Sequence, residues 1–515
     1  MPAGKPVVVL SDNSLDHLVL ELACMHVGRA ICPVTSGYSR LAQGDYTRIH
    51  GILATLDPAL VYAHDAATYA PVLARAPVAA RAVYSHGADS VPGAVPFAQL
   101  LATRETPAVA AAFATVAADT HAKYLLTSGS TGHPKVVVNT QRMLTANQQM
   151  LRQTLRFLQR EKPVLLDWLP WSHTFGGNHN KFLVLATGGT MYIDDGRPMP
   201  GLIDKTIAHL RDPEVPQPTL HFNVPKGYDM MLPALEADAD LARRFFGRLR
   251  MVFYAGAGMP QSTWQRLEAV AAKTRDVRTD PVWFTTSWGS TETAPANTFA
   301  HWKLDRAGVI GLPMPGVEIK FVPNAGKLEM RLRGPNIFPG YRGNEAATKE
   351  AFDDEGFYRI GDAGHLQDDS DPASGIVFNG RVAEDFKLTS GTWVSVGTLR
   401  LHLVAALAPL AQDAVITGHD RNEIGALVFL TEAARKMPAA DVRAFVGAAL
   451  QRIRAEGGGS SQTPARVLLL PDAPSMAAGE ITDKGYINQR LTLARRAADV
   501  EALHARPDDA RVIIG

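Results

Sequence analysis

A short stretch rich in hydroxyl groups and glycine, set between two apolar runs, constrains this chain most. Tyr124-Leu125-Leu126 leads into Thr127-Ser128-Gly129-Ser130-Thr131-Gly132-His133-Pro134-Lys135, and Val136-Val137-Val138 follows. This pattern predicts two strands with a loop held between them. Glycine lets backbone N–H groups converge, serine and threonine add hydroxyl donors, and lysine adds a positive charge. The loop therefore predicts a polyphosphate ligand.

The spacing differs from the Walker pattern, in which glycine, lysine and a hydroxyl residue are adjacent and a helix follows. Here Pro134 separates Gly132 from Lys135, and a valine run comes next. A kinase or ATPase of the Walker type is therefore disfavoured. The alternative is a flexible Ser/Gly linker, and the position of the stretch between two apolar runs argues against it.

Composition excludes several classes of protein. The 515 residues exceed one ordinary domain, and 52 Lys and Arg against 51 Asp and Glu give a net charge of +1. This balance gives no case for binding nucleic acid or an acidic membrane surface. Two cysteines, Cys24 and Cys32, are too few for a disulfide framework. Apolar runs are too short for a secretory leader or a membrane span, so we expect a soluble, cytoplasmic protein.

The first elements alternate between strand and helix. Residues 7–10 form a predicted strand, 15–27 a predicted helix after the capping sequence Ser11-Asp12-Asn13-Ser14, and 30–34 the next strand. Such alternation is typical of a parallel, doubly wound sheet. The sequence therefore predicts the α/β class.

The stretch from Thr127 to Lys135 resembles the phosphate-binding signature of the adenylate-forming enzymes: acyl-CoA synthetases, luciferases and peptide-synthetase adenylation domains. Matching stretches follow in the family's order, namely 288–292 (aromatic-Gly-x-Thr-Glu), 358–362 (Tyr-x-x-Gly-Asp) and the hinge at 379–381. The resemblance implies a large N-terminal domain of doubly wound sheets, residues 1–380, and a small α+β C-terminal lid, residues 381–515, joined by a hinge. It also implies a further segment ahead of the first strand, so the chain looks shortened at its N-terminus.

The resemblance assigns roles to individual residues. ATP phosphates are expected at Thr127, Ser128, Gly129, Ser130, Thr131, Gly132 and Lys135, with Thr131 also catalytic. Adenine is expected against Gly256, Ala257, Trp288 and Gly289, with the hydroxyl of Thr291 on a phosphate oxygen. The ribose is assigned to Asp362 and Arg381, and Mg²⁺ to Glu292, because Mg²⁺ favours hard oxygen ligands.

The acid is expected beside a histidine loop. A predicted strand from Val164 enters the loop 172–180, and α/β sheets bind ligands at such strand ends. The resemblance implies that His173 walls the acyl pocket and gates entry of the carboxylate, and we count it among the catalytic residues with Thr131 and Lys484. Phe175, Tyr254 and Gly256 are the other residues assigned to the acid.

The lid departs from the family pattern at two positions. Ala383 stands where an acidic residue or lysine is usual, so the hinge chemistry is absent or has moved to Glu384 or Asp385. The catalytic lysine usually follows a glycine directly, but Glu480 follows Gly479. We assign the adenylation role to Lys484, for which the alternative is an ordinary solvated lysine.

The amino-acid sequence of four segments resembles that of bacterial feruloyl-CoA synthetases, a subgroup that carries both departures. The segments are 167–178, 381–388, 391–394 and 481–488. The implied reaction joins a hydroxycinnamate such as ferulate to CoA through an acyl-adenylate, with ATP and Mg²⁺ as cofactors and a thiol channel at Gly391-Thr392-Trp393. Three alternatives stay open: another acid (a benzoate or a fatty acid) or a carrier-protein acceptor, a degenerate regulatory module that binds nucleotide, and a scaffold without covalent chemistry. The residues carry no signature of oligomerisation. A second copy of this chain, in a homodimer, is the protein partner that stays open.

Overall fold

The computed structural model describes residues 4–40, 42, 44–127, 134–274, 281–324, 326–457, 459, 461–475, 478–481, 487–505 and 509–515. The first sheet has the strand order β5-β4-β3-β1-β2-β6-β7. Its strands are β1 Val7–Val9, β2 Ile31–Pro33, β3 Leu60–Asp65, β4 Arg81–His86, β5 Val95–Pro96, β6 His121–Thr127 and β7 Lys135–Thr140. The helices between them are α1 Leu15–His26, α2 Gly37–Arg40, α3 Thr47–Leu56, α4 Ala66–Leu73, α5 Phe97–Leu101 and α6 Pro107–Phe113.

Strands β1 to β5 pair in parallel, as the alternation of strand and helix predicts. Helix α1 begins where the Ser14 side chain accepts a hydrogen bond from the N–H of His17, and its buried face packs on β1 and β2. β6 and β7 pair antiparallel, with Thr127 opposite Lys135. The two strands predicted on either side of the polyphosphate loop are therefore present.

A second sheet has the order β10-β11-β12-β13-β14-β18-β17-β16-β15, and β8 pairs with β9 beside it. Its β10-β11-β12 part is parallel, and the rest is antiparallel. These strands are β8 Val164–Asp167, β9 Thr190–Ile193, β10 Leu220–Asn223, β11 Met251–Tyr254, β12 Trp283–Gly289, β13 Ala296–Phe299, β14 Val309–Pro313, β15 Glu318–Asn324, β16 Lys327–Arg333, β17 Tyr358–Leu366 and β18 Ile376–Arg381. The helices of this part are α7 Gln141–Thr154, α8 Lys181–Thr187, α9 Ile203–Arg211, α10 Pro225–Ala237, α11 Ala239–Phe246, α12 Gln261–Ala272 and α13 Glu345–Ala351.

The C-terminal part forms its own sheet, β21-β22-β23-β24, after a short hairpin of β19 and β20. Its apolar core joins α14 and α16 to the faces of β21 and β22. The elements are β19 Phe386–Lys387, β20 Trp393–Val394, α14 Val396–Ala406, β21 Ala411–Thr417, β22 Gly425–Leu430, α15 Glu432–Arg435, α16 Ala439–Ala455, β23 Arg466–Leu470, α17 Gln489–Arg495, α18 Ala497–Ala505 and β24 Val512–Ile514. Apolar runs at residues 414–416, 426–429 and 467–470 predict three strands and residues 442–453 predict a helix, and β21, β22, β23 and α16 confirm them.

Among the described residues, no helix is both long and apolar enough to cross a bilayer.

Candidate functional site

A tight turn at the end of β12 delivers the candidate nucleotide residues. β11 and β12 run parallel, so both end at the same edge of the sheet, where ligands bind in such folds. A Cβ on Gly289 would lie 1.7 Å from the backbone oxygen of Pro295, so only glycine fits there. The short 3₁₀ helix Thr291–Thr293 that follows carries Thr291 and Glu292.

Trp288, Asp362 and Arg381 meet at this edge. The indole N–H of Trp288 donates to Oδ2 of Asp362 at 2.8 Å, and Arg381, paired with Asp362 across β17 and β18, places Nε 3.4 Å from Oδ1. Oδ1 is buried and accepts no hydrogen bond from any described residue. Burial raises the pKa of Asp362, and the Arg381 charge opposes that shift. A buried acceptor without a donor suits the hydroxyls of a ribose.

Lys135, Tyr341 and Glu292 form a second group. Nζ of Lys135 lies 4.7 Å from the ring centroid of Tyr341, and the Tyr341 hydroxyl donates to Oε1 of Glu292 at 3.1 Å. The backbone carries these contacts, since Val137 bridges to Tyr341 and the N–H of Phe338 donates to the Glu292 carbonyl. The lysine predicted for the phosphates and the carboxylate predicted for the metal therefore both contact one tyrosine.

The surroundings of Glu292 fit a divalent cation. The residue is 7% exposed, and no basic group among the described residues lies within ion-pairing distance of its carboxylate. A buried carboxylate without a counter-charge is costly, and a hard cation such as Mg²⁺ would supply that charge.

The histidine loop is held tightly through its backbone. Gly177 donates to the carbonyl of His173 at 2.7 Å, and His173 donates its N–H to Pro170 at 3.0 Å. Cβ atoms on Gly176 and Gly177 would lie 2.3 and 2.2 Å from the backbone oxygens of Leu169 and Trp171. The two glycines thus let the wide helical turn Phe175–Asn180 pack directly on the preceding loop, with the His173 side chain half-buried.

The residues assigned to the acid differ in their surroundings. Phe175 is buried, with its ring centroid 5.7 Å from those of His179 and Phe253. Tyr254 is also buried, with its ring edge-on to Trp264. Both rings belong to apolar clusters, and the Tyr254 side chain also has hydrogen bonds to Gly308 and Thr286.

The small-residue loop after β11 faces the C-terminal part of the chain. Gly256 has φ +89°, a conformation that glycine adopts at little cost, and Ala257 beside it is half-buried. At Gly258, a Cβ would meet Cδ1 of Leu401 in α14 at 2.8 Å. The loop assigned to adenine thus lies against the region predicted to be the lid.

Several predicted site residues lie outside the described part of the chain: Ser128, Gly129, Ser130, Thr131, Gly132 and Lys484. Thr127 and Lys135, on either side of the loop, are described and half-buried. The roles of these residues stay predictions.

The sequence did not single out Tyr341 or Lys327. Tyr341 stands in Gly340-Tyr341-Arg342-Gly343, and a tyrosine between glycines is the signal that could have drawn attention to it. Nζ of Lys327 donates to the carbonyl of Asn379 at 2.6 Å and to Oγ of Ser395 at 3.1 Å, and it pairs with Asp385. Nothing local in the sequence marks Lys327, because its partners lie far along the chain.

Of the two residues considered for the displaced hinge chemistry, Asp385 is the more firmly bound. Besides Lys327, it accepts a hydrogen bond from the N–H of Val396 at 3.0 Å. Glu384 is half-buried, and burial raises its pKa. The hinge chemistry itself stays a prediction.

A buried ionic network lies between the phosphate-loop strand and the histidine loop. Glu21 in α1 contacts Lys123 of β6 at 3.0 Å and Lys181 of α8 at 2.5 Å, and all three side chains are at most 2% exposed. Lys123 also donates to the carbonyl of Gly177 at 3.3 Å, and His17 lies 3.4 Å from Glu21. One carboxylate therefore joins the strand that enters the phosphate loop to the segment that follows His173.

Comparison with known proteins shows which family this chain matches. The family model "AMP-binding enzyme" matches residues 2–342, and "AMP-binding enzyme C-terminal domain" matches residues 388–508. The probable CoA ligase CCL8 of Humulus lupulus is 24% identical over 71% of this chain and 61% of its own length. A malonate–CoA ligase of Arabidopsis thaliana is 23% identical over 71% of this chain and 60% of its own. The chain thus spans about 60% of the length of these two relatives.

Among solved structures, the anthranilate CoA ligase AuaEII in complex with anthranoyl-AMP superposes with a TM-score of 0.76 at 18% identity, covering 98% of this chain and 89% of that one. The match confirms the predicted class, a large N-terminal part of α/β sheets with a smaller C-terminal domain. The fold and the two family models together define the class, an enzyme with a large N-terminal part and a smaller C-terminal domain. Within that class, the chain belongs to the AMP-binding enzyme family. The predicted domain boundary at residues 380 and 381 falls between the two matched regions and stays a proposal.

Proposed function

We propose that this protein is an AMP-forming acid–CoA ligase. It uses ATP to convert a carboxylic acid into an acyl-adenylate with release of pyrophosphate, and then transfers the acyl group to the thiol of CoA. The observation that carries the proposal is the buried Oδ1 of Asp362, which faces Arg381 but accepts no hydrogen bond from any described residue, at the sheet edge that also carries Glu292. A ribose acceptor and a metal-binding carboxylate at one edge suit a bound nucleoside triphosphate.

In this proposal, the protein acts mainly by positioning and by neutralising charge. Asp362 accepts the ribose hydroxyls, and Lys135 approaches the β and γ phosphates. Mg²⁺ held at Glu292 would neutralise charge on the phosphate oxygens. Lys484 stabilises the charge that develops between the acid carboxylate and the α-phosphate.

For the acid, we propose a hydroxycinnamate such as ferulate. This choice of acid is supported by the amino-acid sequence of four segments, which resembles that of feruloyl-CoA synthetases: 167–178, 381–388, 391–394 and 481–488. Phe175, which is assigned to the acid, lies in a buried cluster of rings with His179, Phe222 and Phe253. The first alternative is malonate, which the name of an Arabidopsis relative specifies.

The test is pyrophosphate release from ATP and Mg²⁺ with ferulate, with and without CoA, in the intact chain and in Lys484→Met. We expect release that depends on ferulate, rises with CoA and is nearly abolished in the variant. If malonate or benzoate supports pyrophosphate release and ferulate does not, the proposed reaction stands and the proposed acid is wrong. If a pantetheine-bearing carrier protein raises pyrophosphate release and CoA does not, the acceptor is the carrier protein and not CoA. No release with any acid would leave a protein that only binds nucleotide.

A further inference from the structure

The Tyr341 side chain contacts two residues with different proposed ligands. Its hydroxyl donates to Oε1 of Glu292 at 3.1 Å, and its ring lies 4.7 Å from Nζ of Lys135. We propose that Tyr341 is a positioning residue that keeps the phosphate-loop lysine apart from the metal-binding carboxylate, so that both charges stay available to Mg·ATP. The inference rests on the proposed function, since it takes ATP as the ligand.

The first step of the argument is charge. Lys135 and Glu292 have opposite charges and lie on the same tyrosine, yet neither makes an ion pair within 4.0 Å with any described residue. A direct pair between them would neutralise both, and a phosphate and a cation would each have to break that pair before binding. The aromatic ring gives the ammonium a favourable face without cancelling its charge.

The second step is rigidity, because a spacer has to be fixed to act as one. The N–H of Tyr341 donates to Oγ1 of Thr348 at 2.9 Å, and the next N–H, from Arg342, donates to the carbonyl of Val136 at 2.9 Å. The ring packs edge-on to Phe338 with centroids 4.9 Å apart. These contacts attach Tyr341 both to the β7 strand that carries Lys135 and to the segment bonded to Glu292.

The third step is that the two contacts use different parts of one side chain. The hydroxyl alone reaches Glu292, and the ring face alone reaches Lys135. Tyr341→Phe therefore removes the first contact and keeps the second, whereas Tyr341→Leu removes both. This separation makes the role testable by binding measurements, without turnover.

The experiment is calorimetric titration of the full chain with ATP, at a series of Mg²⁺ concentrations and in EDTA. For Tyr341→Phe we expect the Mg²⁺ concentration giving half-maximal enhancement of ATP binding to rise about tenfold, as for a lost hydrogen bond to a charged group. ATP binding in EDTA should stay unchanged in this variant. For Tyr341→Leu, ATP binding in EDTA should weaken as well, by about threefold.

The matched control is Tyr84→Phe, which deletes another tyrosine hydroxyl that is buried in the first sheet and has no hydrogen-bond partner among the described residues. It should leave both measurements unchanged. In a double-mutant cycle, Tyr341→Phe should add no further loss to Glu292→Ala, because alanine has no side-chain oxygen to accept from the Tyr341 hydroxyl and the two changes break the same contact.

An unchanged Mg²⁺ response in Tyr341→Phe would overturn the inference, and so would equal effects of the Phe and Leu variants on both measurements. Neither result would affect the proposed function, provided that the wild-type chain binds ATP. A wild-type chain that binds no ATP at any Mg²⁺ concentration would remove the proposed function and this inference together. Melting curves of each variant show whether a loss of binding reflects unfolding instead, and a destabilised Leu variant leaves the Phe variant to decide.

Discussion

The indole N–H of Trp288 donates to Oδ2 of Asp362 at 2.8 Å, and so orients the carboxylate whose other oxygen has no hydrogen-bond partner among the described residues. The motif predicts that Trp288 stacks on adenine, and the structure shows that its indole N–H holds the Asp362 carboxylate. The tryptophan of the motif thus supports the residue assigned to the ribose.

Trp288→Phe should weaken ATP use while keeping an aromatic ring in place. The carboxylate loses its donor, so we expect the KM for ATP to rise about tenfold, the effect of one hydrogen bond to a charged group. The KM for the acid should change little. Initial rates of pyrophosphate release at varied ATP measure both. Trp283→Phe is the control, since its indole lies on the same strand and donates to the Trp302 carbonyl. Equal effects of the two substitutions would contradict the assignment.

Glu21→Gln should destabilise the protein strongly. The substitution leaves the ammonium groups of Lys123 and Lys181 buried without their counter-charge, a loss of about 3–5 kcal/mol in comparable buried pairs. Urea unfolding followed by tryptophan fluorescence gives the change. The control is Glu432→Gln, which breaks an exposed pair with Lys436 and should leave the midpoint unchanged. A Glu21→Gln midpoint equal to wild type would mean that the network contributes nothing to stability.

Asp167→Asn should change how stability depends on pH. Burial raises the pKa of Asp167 from 3.8 to about 7, so the folded state holds a proton that the unfolded state has released. This group therefore lowers stability progressively as pH rises from about 4 to about 7. Asparagine cannot ionise, so the variant should gain about 1–2 kcal/mol over wild type between pH 5.5 and pH 8.

Urea midpoints at the two pH values measure this gain, with the exposed Asp354→Asn as control. A variant that loses stability at pH 8 relative to pH 5.5 would reverse the sign and show that Asp167 is stabilised as a carboxylate.

Gly289→Ala should impair both folding and ATP binding. The added Cβ would lie 1.7 Å from the Pro295 oxygen, so β12 or the turn that carries Glu292 has to move, at a cost of at least about 2 kcal/mol. Thermal melting and ATP titration report the two effects. Gly51→Ala is the matched control, because that glycine lies in α3 with open space around it. The control should be neutral or slightly stabilising, since alanine favours helix. A Gly289→Ala protein with wild-type melting would show that the turn tolerates a side chain.

Much of the fold was predictable, because short-range patterns carry it. The strands on either side of the phosphate loop, the first strand-helix-strand alternation and the C-terminal strands all follow from runs of apolar residues and their flanking turns. Contacts such as Lys327 with Asn379 and Ser395 were not predictable. They join segments whose distance in space is set by the pairing of β15 to β18, which no local pattern encodes.

By itself, the sequence determined the order of the motifs and the chemical groups that each one carries, because these depend on residue type and spacing within a few positions. Only the tertiary structure decided which groups meet: Trp288 with Asp362, Tyr341 between Lys135 and Glu292, and Glu21 between Lys123 and Lys181. Each of these contacts joins segments that are far apart in the sequence. Sheet order and strand register fix such contacts, and both arise from the packing of the whole chain.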